Sequence, residues 1–330
     1  MSRFRILSLD GGGVKGTFTA AVLSELESMS KKRIYKYFDL ITGTSTGGII
    51  AIALGLGVPA SEILEFYVTK GPEIFPAIGV KKKSQHLLRW LFRKKYGQEP
   101  LRNAINAVTG SRKLGDSKVR LVIPSFNAVN GDVYLFKTAH HDRFRRDYLR
   151  PAVEVALATS AAPTYFPAFV GGDGVACIDG GIWANCPATV GIIEAIAVLG
   201  QRLEDVEVLS IGTTDEPYDV SAVRRKKGGL ICWGHFGKDL IGLMMHAQMK
   251  ASIAQAKVLL HGRFLRVNEP ARTERFKMDD ASLISDLRGL GATTARHEAN
   301  EIERRFLDEP AELFVPFHHY NPSLSETPGR

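Results

Sequence analysis

Within its first 56 residues the chain twice passes from a short apolar strand through a glycine-containing turn directly into a helix. Residues 4–9 read as the first strand, Asp10-Gly11-Gly12-Gly13 as its turn and residues 17–29 as an amphipathic helix. Residues 38–44 form the second strand, and an apolar helix over 46–56 follows at once. Strands separated by a helix cannot close as a hairpin, so they pair in parallel, and a parallel sheet needs helices over both faces. The expected fold class is therefore α/β, with three layers around a largely parallel central sheet.

The rest of the chain continues the alternation. Ser61 suits the N-cap of a helix that Gly71-Pro72 ends. Residues 119–124 and 133–138 read as strands of a hairpin, with Asn127 to Asp132 as its turn. A helix is expected over 148–158, a strand over 175–178, a helix over 188–199, a buried strand over 206–211 and a long helix over 240–260. One domain over 1–315 accounts for these elements. It comprises a motif-bearing core of about 5–215, a helical C-terminal elaboration over 216–315 and a flexible polar tail over 316–330.

Composition narrows the setting. The chain is 45% apolar and 24% charged over 330 residues, enough for a continuous core. It has no stretch of about 18 uninterrupted apolar residues and no apolar leader, so a cytoplasmic protein is expected. Cys177, Cys186 and Cys232 are odd in number and lack metal or disulfide spacing. The net charge of +8 is uneven: no acidic residue lies between Ile74 and Gln98. Lys81, Lys82, Lys83, Arg89, Arg93, Lys94 and Lys95 fall there, interleaved with Trp90 and Phe92. Bases among large apolar side chains suit peripheral contact with an anionic lipid surface at the inner membrane face. A phosphate backbone would use the same charges, although no nucleic-acid partner is expected. A solvated basic segment is the plain alternative.

Gly43-Thr44-Ser45-Thr46-Gly47 sits between the second strand and its helix. A G-x-S-x-G pentapeptide in that setting is a nucleophile elbow, whose tightness requires Gly43 and Gly47 and whose helix N-terminus favours developing negative charge on Ser45. The turn Asp10 to Gly16 has two readings. Gly11, Gly13 and Gly16 satisfy a dinucleotide-binding G-x-G-x-x-G, but Asp39 lies at the start of the second strand, where it cannot hold a ribose. Alternatively Gly11, Gly12 and Gly13 aim amides at an acyl oxygen as an oxyanion hole, with Lys15 adding positive potential. The elbow serine favours the second. Asp179-Gly180-Gly181 ends the strand over 175–178, where two glycines let a carboxylate approach a neighbouring elbow as its base.

These three motifs, in this order, resemble the patatin-like phospholipase family, as does the block Ala158 to Pro167 (A-T-S-A-A-P-T-Y-F-P). The resemblance covers about residues 5–190. It implies a patatin-like fold, Ser45 as nucleophile, Asp179 as its partner in a histidine-free dyad, and Gly11 to Gly13 as the oxyanion loop. It implies hydrolysis of membrane phospholipid esters with no metal or required cofactor. A narrower resemblance rests on Val122-Ile123-Pro124, Phe136 to His141 and residues 156–167. It is to bacterial patatins that act as cyclic-nucleotide-activated effectors in antiphage defence, and it implies a cyclic dinucleotide or related cyclic oligonucleotide as activator.

His140 and His141, beside a strand end, are the best histidine candidates for a triad, yet no carboxylate pairs with them in sequence. The remaining histidines are scattered without metal spacing. An acyltransferase with the same dyad and a catalytically silent sensor stay open, as does a homo-oligomeric state.

Overall fold

The computed structural model describes residues 3–76, 95–214, 238–271 and 276–320. In chain order the elements are β1 (Phe4–Leu9), α1 (Gly16–Ser30), β2 (Leu40–Gly43), α2 (Thr46–Gly55), α3 (Ala60–Ile74) and α4 (Glu99–Thr109). They continue with β3 (Arg120–Asn127), β4 (Asp132–Lys137), α5 (Ala152–Thr159), β5 (Phe169–Val170), β6 (Ala176–Asp179), α6 (Gly181–Ala184) and α7 (Ala188–Ile193). The last are β7 (Val206–Ile211), α8 (Lys238–Leu260), β8 (Phe264–Val267) and α9 (Ile284–Phe306).

The sheet runs β5-β6-β3-β2-β1-β7-β8, with β4 on the remaining edge of β3. From β3 to β8 the neighbours are parallel; β4 and β6 run antiparallel to β3, and β5 to β6. The α/β class and the largely parallel sheet are as the alternation of elements requires. Successive strand residues point to opposite faces. Leu7, Leu9, Ile41, Leu121, Ile123 and Leu209 pack under the layer that holds α1 to α5 and α9. Ile6, Leu40, Val122, Val206 and Val208 pack under α6, α7 and α8. Every β1 side chain is buried, as expected of a strand covered on both faces.

Several boundaries differ from expectation. Pro151, lacking an N–H, starts α5 at Ala152, so residues 147–149 form a 3-10 turn rather than its first turn. The helix expected over 188–199 changes to a π-helical turn at Glu194–Val198. The C-terminal elaboration is not purely helical: β8 extends the central sheet beside β7. The start of the expected loose tail is held, because the Phe317 N–H donates to the Ala139 carbonyl at 2.7 Å and Lys113 lies over the Tyr320 ring. Cys177 and Cys186 are buried free thiols. No helix among the described residues is long and apolar enough to cross a membrane.

Candidate active site

β3 brings the two halves of the site together. Its first residues pair with β2 (Thr42 opposite Val122) and its last with β6 (Asp179 opposite Ser125). β4 occupies the other edge throughout residues 122–127, so β2 and β6 share one edge. They run towards each other along it, and their carboxyl ends meet. Ser45 lies just beyond the end of β2 and Asp179 is the last residue of β6.

Ser45 caps α2 with φ 56° and ψ −122°, a left-handed conformation that L-residues adopt at a cost of about 1–3 kcal/mol. The turn is tight. A side chain at Gly43 would strike the Gly47 carbonyl, and one at Gly47 would strike the carbonyls of Leu9 and Asp10. The Ser45 side chain is close enough to Asp179 to act on its carboxyl, and the Ser45 N–H donates to Thr159 Oγ1 at 3.0 Å.

Asp179 is 5% exposed. Burial pushes its carboxyl up to about 6, against the Ser45 side chain and the Gly181 amide, which pull it down. The Gly181 N–H donates to Oδ1 at 2.7 Å, and a side chain at Gly180 would strike the Pro124 carbonyl. A side chain at Gly181 would crowd Asp179 Oδ1 and Asn185 Oδ1 at 3.0 and 3.1 Å, so both positions favour glycine where β6 turns into α6.

The glycine loop sits between β1 and α1. The Gly11 N–H is engaged by the Asn185 carbonyl at 3.0 Å, which corrects the expectation that all three glycine amides are available. The Gly12 and Gly13 amides have no acceptor among the described residues. Gly13 has φ 59°, and a side chain there would meet the Met278 carbonyl, which already accepts the Val14 N–H at 2.8 Å. Lys15 ends the short 3-10 turn Gly13–Lys15, partly exposed. Asp10 is buried and paired with Arg266 of β8 at 2.6 Å; Arg266 also donates to Ser210 Oγ at 2.7 Å.

An apolar pocket opens beside Ser45, with an empty volume of about 590 Å³ including its mouth. Its walls include Val14, Ile49, Phe66, Ile74, Phe166 and Met278. Carbon-rich walls next to a buried hydroxyl and carboxylate suit a long acyl chain with its ester at Ser45.

His140 and His141 are engaged elsewhere. His140 is buried, with Nε2 on Glu194 at 2.9 Å and Nδ1 on Thr138 at 2.8 Å, while Lys137 also pairs with Glu194. Burial lowers the His140 pKa, and Glu194 opposes that. His141 faces Asp142. Among the described residues neither is bonded to Ser45 or Asp179, and no cluster of three metal-ligating side chains occurs. Lys81, Lys82, Lys83, Arg89, Trp90, Phe92, Arg93 and Lys94 lie outside the described residues. Lys95 is paired with Asp279, with the Tyr96 and Tyr165 rings 5.4 and 5.6 Å away. Sequence reasoning did not single out Asn185, Arg266 or Met278. No spacing pattern marks them, since each reaches the glycine loop only through the fold.

Comparison with known proteins gives the family. The family model described as patatin-like phospholipase matches residues 7–192. A cGAMP-activated phospholipase of Pseudomonas aeruginosa is 33% identical over 319 residues, 95% of this chain and 91% of the relative. One from Vibrio cholerae is 32% identical, covering 95% of this chain and 97% of the relative. Among solved structures, VipD of Legionella pneumophila aligns with a TM-score of 0.46 at 13% identity, covering 91% of this chain and 67% of VipD. The chain belongs to the patatin-like phospholipase family, whose chemistry is lipid ester hydrolysis.

Proposed function

We propose that this chain is a serine phospholipase that works through a Ser45–Asp179 dyad and is switched on by a cyclic dinucleotide. The observation that carries the dyad is the convergence of Ser45 and the buried Asp179 at the facing carboxyl ends of β2 and β6, with Ser45 lining an apolar pocket.

Ser45 Oγ attacks the ester carbonyl carbon while its proton passes to Asp179. The Gly12 and Gly13 amides stabilise the tetrahedral oxyanion, aided by the N-terminal end of α2. Collapse breaks the ester C–O bond, and the departing lysophospholipid alkoxide takes the proton from Asp179. Water then attacks the acyl-enzyme, gives its proton to Asp179, and a second collapse returns that proton to Ser45 and frees the fatty acid. A carboxyl at about 6 is mostly ionised at neutral pH, yet more basic than an ordinary aspartate.

Activation by a cyclic dinucleotide is supported by the named activity of the two bacterial relatives, each aligned over nearly its whole length. A role in antiphage defence is what the narrower resemblance of residues 122–124, 136–141 and 156–167 implies, and a phospholipase held inactive until a signal arrives would suit it. Peripheral contact at the inner membrane face accords with a substrate that lies in the bilayer.

The test is fatty-acid release from phosphatidylethanolamine–phosphatidylglycerol vesicles, with and without cGAMP, cyclic di-GMP and cyclic di-AMP. A rise in release with cGAMP, abolished in Ser45→Ala, is the expected result. Equal release with and without each nucleotide would leave a constitutive phospholipase and remove the switch.

A further inference from the structure

One short stretch at the end of α5 grips both members of the dyad. Thr159 is the last residue of α5 and is fully buried. Its Oγ1 donates to the Pro124 carbonyl of β3 at 2.6 Å and accepts the Ser45 N–H at 3.0 Å. The backbone of the same stretch takes the other side. The Asp179 N–H donates to the Ala161 carbonyl at 3.0 Å, and the Gly180 N–H to the Thr159 carbonyl at 3.3 Å.

We propose that Thr159 is the positioning residue of this site, its hydroxyl fixing the strained Ser45 backbone against a strip that also fixes Asp179. The inference rests on reading Ser45 and Asp179 as the dyad.

Four physical points support it. At φ 56° the Ser45 amide leads into α2 without an intrahelical partner, and a buried N–H needs an acceptor. The Thr159 hydroxyl has one proton, and Pro124 takes it, so a lone pair is left for Ser45 and the direction of the bond is set. Threonine is stiff at χ1, and its methyl lies on the first turn of α2: a Cβ at Gly48 would come within 2.8 Å of it. Finally, the Ser45 amide is thereby occupied, which leaves oxyanion binding to the Gly12 and Gly13 amides and the N-terminal end of α2. Thr159 touches no substrate atom in this scheme; it acts through Ser45.

The experiment uses the full chain with cGAMP present and compares wild type with Thr159→Ser, Thr159→Val and Thr159→Ala. It measures the rate at which a fluorophosphonate labels Ser45, kcat and KM on phosphatidylglycerol vesicles, the pH profile and the thermal midpoint. Loss of the hydroxyl is expected to lower labelling and kcat together by about 10²-fold, the scale of a small misplacement, with KM little changed. Its acid limb should move to higher pH, because Asp179 loses the nearby Ser45 hydroxyl that pulls its carboxyl down. Thr159→Ser should stay within a few-fold of wild type. Labelling of Thr159→Val or Thr159→Ala at the wild-type rate would overturn the inference while leaving the dyad intact. So would a Thr159→Ser loss equal to that of Thr159→Val. If only hydroxyl-bearing variants fold, Thr159 is a folding determinant and the inference fails. Absence of labelling in wild type would instead remove the dyad reading itself, and the inference with it.

Discussion

The Ser45 hydroxyl meets the Asp179 carboxylate where β2 and β6, running towards each other on one edge of β3, end face to face. The reactive pair is thus a product of strand register. A one-residue slip of β6 on β3 would turn Asp179 to the other face of the sheet. The two residues lie far apart in the chain, yet each stands at the carboxyl end of a strand held by the same neighbour.

The acid limb of kcat/KM should inflect near pH 6, the value to which burial raises the Asp179 carboxyl. Asp179 acts as base only when ionised, so activity falls as pH drops through that value. A limb near pH 4, where an ordinary aspartate titrates, would show that a different group or a solvated Asp179 controls the rate. A pH–rate profile on a short-chain ester reads this directly.

Asp179→Asn should stabilise the folded chain while abolishing turnover. A raised carboxyl means that the fold favours the protonated form. Its stability contribution is fully present below about pH 3.8 and is lost as pH rises through about 6. At pH 8 the variant avoids burying a charge, a gain of up to about 3 kcal/mol. Urea titrations at pH 4 and pH 8 should show the gap between variant and wild type widening with pH.

Gly13→Ala should lower kcat by about 10²–10³-fold, the effect of losing one oxyanion donor. Its φ of 59° disfavours a side chain, and the added methyl would meet the Met278 carbonyl. Turnover close to wild type in a variant with an unchanged unfolding midpoint would move the oxyanion site away from this loop.

Arg266→Met should destabilise the chain by about 3–5 kcal/mol, because it leaves the Asp10 carboxylate buried without its partner. Adding Asp10→Asn should restore part of the loss. A denaturant-based double-mutant cycle measures the coupling.

Phe66→Ala should shift preference towards longer acyl chains. Ile49 and Phe66 line both the pocket at Ser45 and a second, small apolar pocket bounded by Ile52, Ile63 and Ile105. Removing the ring joins the two. Each further methylene accommodated contributes about 0.8 kcal/mol, roughly fourfold in kcat/KM. Competition between esters of different chain length gives the ratio.

Much of this was legible in the sequence because the elbow and the glycine turns depend on local rules. Gly43, Gly47 and Gly180 are dictated by backbone carbonyls that a side chain would strike, and Gly181 by the crowding of Asp179 and Asn185 around it. β1 and β2 announce themselves as apolar runs followed by helices. What lay hidden depends on distant partners. β8 is four residues long and carries Arg266, which makes sense in a sheet only once Asp10 stands across from it. α9 holds Gly289 and Gly291, poor helix formers, yet Gly291 is where α9 packs on the Phe18 carbonyl of α1. Likewise Gly11 was expected among the oxyanion donors, and only the position of Asn185 shows its amide to be engaged.

The most direct test of the dyad is a double-mutant cycle in phospholipid hydrolysis with Ser45→Ala, Asp179→Asn and the pair together, measured at pH 7.5 with cGAMP. Groups that act as one unit lose their function together, so each single change should cost at least about 10³-fold and the double variant no more than the worse single one. Losses that multiply, or turnover that survives Ser45→Ala, would contradict a Ser45–Asp179 dyad.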